Sequence, residues 1–219
     1  MAKTKTTTAH ILTGLFVFLA ACQTRAAQEL DLGSVTNSVY RNGYFGLTIR
    51  IPLGWHIVDA KAQRIQIKAG LSNVAADEDN LKSMVKIADL QIVSLVAALK
   101  YPLGTPTNNP SIAVAAEKVR STRSGREYLL NTKQLLQSGR VPVAFPREIY
   151  SEKLGNVAFD VLDISRPVDL KLLQRQYARV MKGYALDIAV SFDSNEEEQV
   201  VMAALKSMRF DSGVVPKRP

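Results

Sequence analysis

"QRQYARVMKGYALDIAVSFDSNEEEQVVMAALKSMRF", residues 174 to 210, decides the fold. Two strand-like segments, Gln174–Met181 and Tyr184–Phe192, are separated only by Lys182-Gly183. A two-residue break ending in Gly predicts a tight hairpin, because the favoured turns need left-handed backbone that Gly adopts freely. Ser194-Asn195-Glu196-Glu197 then has capping-box form, with a serine placed to accept the amide three residues on. Behind it Val200, Val201, Ala204, Leu205 and Met208 form one helical stripe. Glu196, Glu197 and Glu198 suit the electropositive first turn. A hairpin followed at once by a one-sided helix implies a sheet for that helix to cover.

The same pattern continues upstream. Arg147–Lys153 and Asn156–Ser165 are strand-like on either side of a Leu154-Gly155 turn. Ser124-Gly125-Arg126-Glu127 is a second capping box, with Tyr128, Leu129, Leu135 and Leu136 on one face before Gly139. Ile112–Val119 and Leu90–Tyr101 are apolar enough for central strands, the latter stopped by Pro102. Leu81, Met84, Val85 and Ala88 have helical spacing. His56–Gly70 carries both periods at once: Ile65, Ile67 and Ala69 alternate, while Val58, Ala62, Ile65 and Ala69 share a helix face. Tyr44–Ile51 alternates Leu47, Ile49 and Ile51 with Thr48 and Arg50, a half-buried strand ended by the Pro52-Leu53-Gly54 turn before Trp55. Strands joined by hairpins, with helices between and after, predict an α+β fold: an antiparallel β-sheet flanked by helices.

The front of the chain has a different character. Met1 to Thr8 is polar, with Lys3 and Lys5 and no acid, and Ile11 to Ala21 is apolar but for Thr13 and Gly14. That run has the length of a signal-peptide core and is too short to span a bilayer as a helix. Leu19-Ala20-Ala21-Cys22 resembles the bacterial lipobox, in which the cysteine sulfur receives a diacylglyceryl group before cleavage and the new amine takes a further acyl chain such as palmitate. Several acyl chains at ~0.8 kcal/mol per buried CH₂ give a stable anchor where one is marginal. Cys22, the only cysteine of the 219 residues, is therefore the expected lipidation site. The plainer alternative is a secretory signal cut near Ala26. The expected organisation is a signal peptide over 1–21, a lipid-attached tether over 22–43, a domain over 44–210 and a loose tail over 211–219.

With 47% hydrophobic and 22% charged residues the composition is that of a soluble globular protein. Loss of Lys3 and Lys5 with the signal lowers the net charge from +8 to +6, with 26 basic against 20 acidic residues remaining. A modest positive field favours anionic neighbours: lipid headgroups, acidic polysaccharide or an acidic protein. The basic residues are scattered and form no nucleic-acid-binding motif.

"YFGLTIRIPLGWHI", Tyr44 to Ile57, resembles the opening of PsbP-like domains, relatives of the extrinsic oxygen-evolving-complex protein of photosystem II. "GYALDIAVSFDSNEEEQVVMAALKSMRF", Gly183 to Phe210, is similar to their closing strand and helix. The resemblance implies an α/β/α sandwich around an antiparallel sheet, the fold shared with a Ran-binding nucleotide-release factor. It also implies a role in binding or assembly, with no common catalytic set to carry over. The helical stretch between Ala60 and Ala88 departs from the short form of these domains.

Chemistry-bearing motifs are sparse. The mature chain has one histidine, His56, beside Trp55 at a strand-turn junction, where a packed or surface residue is the plain expectation. No Gly-x-Ser-x-Gly elbow or phosphate-cradling Gly loop is present. One histidine and no free thiol leave a zinc site short of ligands. Asp77, Glu78 and Asp79 lack the spacing of a calcium loop and read as a helix start. Tyr40, Tyr44, Phe45 and Trp55 form either core or an aromatic ligand patch, core being the simpler reading. No catalytic residue, cofactor or metal is expected. The sequence thus points to an outer-membrane lipoprotein facing the periplasm, acting as a non-catalytic binding or assembly module toward an envelope protein or anionic envelope component. The alternative is a hydrolase of cell-envelope polymers, which needs two carboxylates in an open cleft.

Overall fold

A computed structural model of the chain describes residues 30–59, 62, 63, 65, 92–139, 142–166 and 173–211. The Lys182-Gly183 turn is as expected. Both residues have left-handed backbone, φ 51° and 78°, so the strands they join stay in register, with Tyr184 opposite Met181 and Phe192 opposite Leu173. These strands are β9 (Leu173–Met181) and β10 (Tyr184–Phe192). On one side β10 pairs with β6 (Ser111–Lys118), which pairs with β5 (Ile92–Leu99) and then β4 (His56–Ile57). On the other side β9 pairs with β8 (Val157–Ser165) and then β7 (Tyr150–Leu154). All these pairings are antiparallel.

Every residue of β10 is buried, because both faces of this sheet are covered. Tyr184, Leu186, Ile188, Val190 and Phe192 belong to the main core, and the residues between them point the other way. On that second face lies α1 (Gly125–Ser138), which sets Tyr128, Leu129, Leu135 and Leu136 against Ala115, Leu162, Ile164, Ala178 and Ala185. The alanines leave room for a close approach. At Gly125 an added Cβ would stand 2.0 Å from the Ala178 carbonyl oxygen, so only glycine fits there.

The main core is closed by α2 (Asn195–Lys206), through Val201, Ala204 and Leu205, and by a small antiparallel sheet. That sheet runs β1 (Ser34–Thr36), β2 (Val39–Asn42), β3 (Leu47–Arg50), β11 (Arg209–Phe210). Tyr40, Leu47, Ile49 and Phe210 point inward from it. The described residues therefore form an α+β fold, with a helix on one face of the large antiparallel sheet and a helix plus small sheet on the other.

Both helix starts follow the expected chemistry with one difference. Ser124 accepts the Glu127 amide and Ser194 the Glu197 amide, but each glutamate returns its bond one residue early, to Arg123 N–H and Asp193 N–H.

Several expectations need correction. The folded chain begins before Tyr44: Asn37 and Ser38, with φ 50° and 57°, make a tight turn joining β1 to β2 inside the stretch expected to be tether. Only one face of this edge hairpin is buried, so its few inward residues are too short a run to show periodicity. Strand β3 starts at Leu47, because Tyr44, Phe45 and Gly46 form the turn from β2, held by Asn42 accepting the Phe45 amide. Strand β7 starts at Tyr150, three residues after Arg147, whose side chain is used elsewhere. Trp55 is half-buried, packed on the margin of the main core. The expected helix over Leu81–Ala88, the Asp77–Asp79 run, the signal segment with Cys22, and 212–219 lie outside the described residues.

Candidate functional site

Strand alternation gives the small sheet an outer face of unusual composition. Ser34 pairs with Arg41, Arg41 with Thr48, and Thr48 with Arg209, forming one row across four strands. Thr36, Val39 and Arg50 form the next row. Because β2, β3 and β11 each expose every second residue, Arg41, Arg50 and Arg209 come to one side. A shallow cavity of about 220 Å³ lies there, lined by Val39, Arg41, Thr48, Arg50, Ser207 and Arg209.

The end of α2 holds this groove in shape. Ser207 Oγ accepts the Arg50 amide at 2.9 Å and donates to Ala204 O at 2.6 Å, tying the helix C-terminus to β3. Arg209 Nη1 donates to Met208 O at 2.8 Å and to Lys206 O at 3.3 Å, taking up carbonyls that the helix end leaves over. None of the three guanidinium groups forms an ion pair among the described residues. A guanidinium fork matches phosphate and carboxylate oxygens two at a time. Among the described residues the lining contains no carboxylate, imidazole or thiol. The arrangement can hold an anion.

Carboxylates gather elsewhere, in two places. Beneath α1, Asp187 and Glu117 are fully buried. Asp187 Oδ2 accepts from Gln176 Nε2 at 2.6 Å, and Glu117 Oε2 from the Tyr128 hydroxyl at 3.1 Å. Burial pushes Asp187 up to about 8 against the opposing Gln176 bond, so it carries a proton at neutral pH. Burial also raises Tyr128 well above its ordinary value, helped by the charges that Glu117 and Asp187 carry at the high pH where a tyrosine would ionise. The helix closes this cluster from solvent.

The second place is Asp163, which accepts from Arg147 Nε at 2.6 Å and Arg175 Nε at 2.8 Å. Arg175 Nη2 also meets Glu198 Oε1 at 3.3 Å, joining β8, β9 and α2. Tyr150 lies under the Arg147 guanidinium, 3.8 Å from ring centre to Cζ. Burial, and then the Asp163 charge, push Tyr150 up to about 12.

The residues singled out from sequence are dispersed. His56 is exposed on edge strand β4 opposite Leu99, with no hydrogen bond from its ring among the described residues. Tyr40 and Phe45 are core. Tyr44 is at the surface, its ring 4.9 Å from that of Phe45 and 5.7 Å from that of Tyr184, a partner the sequence reading did not group with it. Glu196, Glu197 and Glu198 occupy the first turn of α2 as expected, and Glu197 also pairs with Lys100 at 2.7 Å. No group of three potential metal ligands occurs among the described residues, nor any helix long and apolar enough to cross a membrane. Sequence reasoning missed the arginine groove. Its only signal was arginine at outward positions of "VYRN" and "LTIR", and Arg209 joins them only through the β3–β11 pairing.

These features define the described part as an α+β domain of two antiparallel sheets and two helices, with an anion-compatible groove. No protein-family model matches the chain, and no curated protein matches it. Among solved structures it is similar to cyanobacterial PsbP (CyanoP) from Synechocystis sp. PCC 6803, at 12% identity and a TM-score of 0.46, covering 82% of this chain and 99% of that one.

Proposed function

We propose that this chain is a lipid-anchored envelope protein, held at the outer membrane through Cys22 and facing the periplasm, whose domain binds rather than catalyses. The arginine groove is its contact for an anionic envelope component. One observation carries this reading: β2, β3 and β11 gather three arginines in one groove without a carboxylate partner among the described residues. Concentrated, unneutralised charge opposes folding through self-repulsion and serves recognition. A hydrolase reading would need carboxylates in an open cleft, whereas the carboxylate held protonated, Asp187, lies under α1.

Retention on phosphocellulose tests the groove. The full chain should elute at clearly higher salt than an Arg41→Ala/Arg50→Ala/Arg209→Ala variant. A control removing the exposed Arg123, Lys153 and Arg179 should elute closer to wild type. Equal shifts for the two triple variants would reduce the groove to ordinary surface charge. Fatty-acid labelling tests the anchor separately: Cys22→Ala should abolish it, and Gln23→Asp, which places a retention residue after the cysteine, should move the protein to the inner membrane. Wild-type protein found soluble and unlabelled would remove the anchor.

A further inference from the structure

The groove sits on the sheet that is first in the chain, and this constrains what can reach it. Only seven residues, Gln23 to Glu29, separate Cys22 from Leu30, where the described fold begins. Whatever their conformation, eight Cα steps reach at most ~29 Å. An acylated Cys22 would therefore keep Leu30, four residues before β1 and the arginine face that β1 borders, within that distance of the bilayer.

A second observation lies beside the groove. Leu53, three residues after Arg50 and so at most ~11 Å from it along the backbone, is 89% exposed at the tip of a tight turn. The turn is closed by Trp55 N–H donating to Pro52 O at 3.2 Å, with Gly54 at φ 78°. The same Pro-Leu-Gly sequence recurs at Pro102-Leu103-Gly104, with Thr105 N–H donating to Pro102 O at 3.2 Å, Gly104 at φ 91° and Leu103 49% exposed. His56 pairs with Leu99, so both turns extend from the same end of the β4–β5 ladder. Leucine at two turn tips is poorly placed for water. A polysaccharide offers no apolar layer to receive it; a membrane interface offers acyl chains directly below its phosphates.

We infer that the groove binds phosphate groups of anionic lipids in the anchoring membrane, while Leu53 and Leu103 enter the headgroup layer beside them. This rests on the reading of Cys22 as acylated and of the groove as an anion site. The domain then lies against its own membrane, with β2, β3 and β11 toward the lipid.

The test uses the full chain carrying Cys22→Ser, so that no acyl anchor contributes, with vesicles of phosphatidylcholine alone or in equal mixture with phosphatidylglycerol. The apolar run Ile11 to Ala21 is common to all variants, and phosphatidylcholine alone measures its background. Arg50→Ala/Arg209→Ala should weaken the phosphatidylglycerol-dependent binding about thirty-fold, from roughly five-fold per arginine at an anionic surface. Trp55, the only tryptophan, lies two residues from Leu53 and reports insertion: bromine-labelled lipid should quench it, and Leu53→Ser/Leu103→Ser should abolish that quenching. If the arginines govern retention on phosphocellulose but not on vesicles, the lipid inference fails and the groove stands. If they govern neither, both fail. Arginine-dependent vesicle binding without Trp55 quenching would overturn the insertion of the leucine turns.

Discussion

Arg41 and Arg209 flank Thr48 in a single cross-strand row, and neither meets a carboxylate among the described residues. Like charges directly opposite each other would repel, and the intervening threonine sets the two backbones about 10 Å apart at ordinary strand spacing. The arginines are close enough to share a ligand and far enough to coexist without one. Arg41, whose side chain makes no hydrogen bond among the described residues, should be dispensable for the fold. Arg41→Thr is expected to change unfolding free energy by less than about 0.5 kcal/mol, as surface changes do, while lowering retention on phosphocellulose. A loss above about 2 kcal/mol in urea titration would make this arginine structural.

Asp187 predicts a pH dependence of stability. Unfolded, it titrates near its ordinary 3.8; folded, burial holds it up to about 8. Below the lower value both states hold the proton, and between the two only the folded state does. Stability therefore falls as pH rises through that window, by ~1.4 kcal/mol per unit from this group. Asp187→Asn keeps the shape and removes the titration. The variant should show a flatter profile from pH 5 to 8 and exceed wild type at pH 8 by a few kcal/mol. Parallel profiles for the two proteins would mean that Asp187 is not protonated in the fold.

The close approach of α1 to the large sheet makes a steric prediction. A methyl at Gly125 would overlap the Ala178 carbonyl, a backbone atom that cannot rotate away. Gly125→Ala should cost about 3 kcal/mol, at the upper end for overpacking, despite alanine's better helix propensity. Stabilisation of the variant in chemical denaturation would show that α1 stands further from the sheet.

Much of this was legible in sequence, for identifiable reasons. Hairpins such as Lys182-Gly183 and caps such as Ser194 depend on residues adjacent in the chain, and both formed. β10 was readable because it is buried on both faces. β1 and β2 were not: they form the outer hairpin of a sheet with one buried face, and Tyr40 is the only fully buried apolar side chain of the pair. The groove was hidden for a different reason. Arg41 and Arg50 are local to each other, but Arg209 comes from the far end of the chain, through a two-residue strand that no periodicity could reveal. Trp55 looked like core because aromatics on a strand and its turn usually pack inward, and it is only partly buried, against the margin of the main core.

The Asp163 pairs should differ in weight. Arg175 is buried, so Asp163→Ala leaves its charge without its closest partner and should destabilise by about 3–5 kcal/mol. Arg147 is half exposed, with 50% of its side chain in contact with water, and Arg147→Ala should cost less than about 1 kcal/mol. Equal losses in thermal or urea unfolding would contradict this division between a buried clamp and a surface contact.

The central claim, that three arginines on β2, β3 and β11 form one anion site, is tested most directly by a nuclear magnetic resonance titration of the full chain with glycerol phosphate. The account predicts saturable shifts concentrated in Val39, Arg41, Thr48, Arg50, Ser207 and Arg209, weakening with salt and lost in Arg50→Ala/Arg209→Ala. Shifts scattered over the basic surface, or none at these six residues, would contradict it.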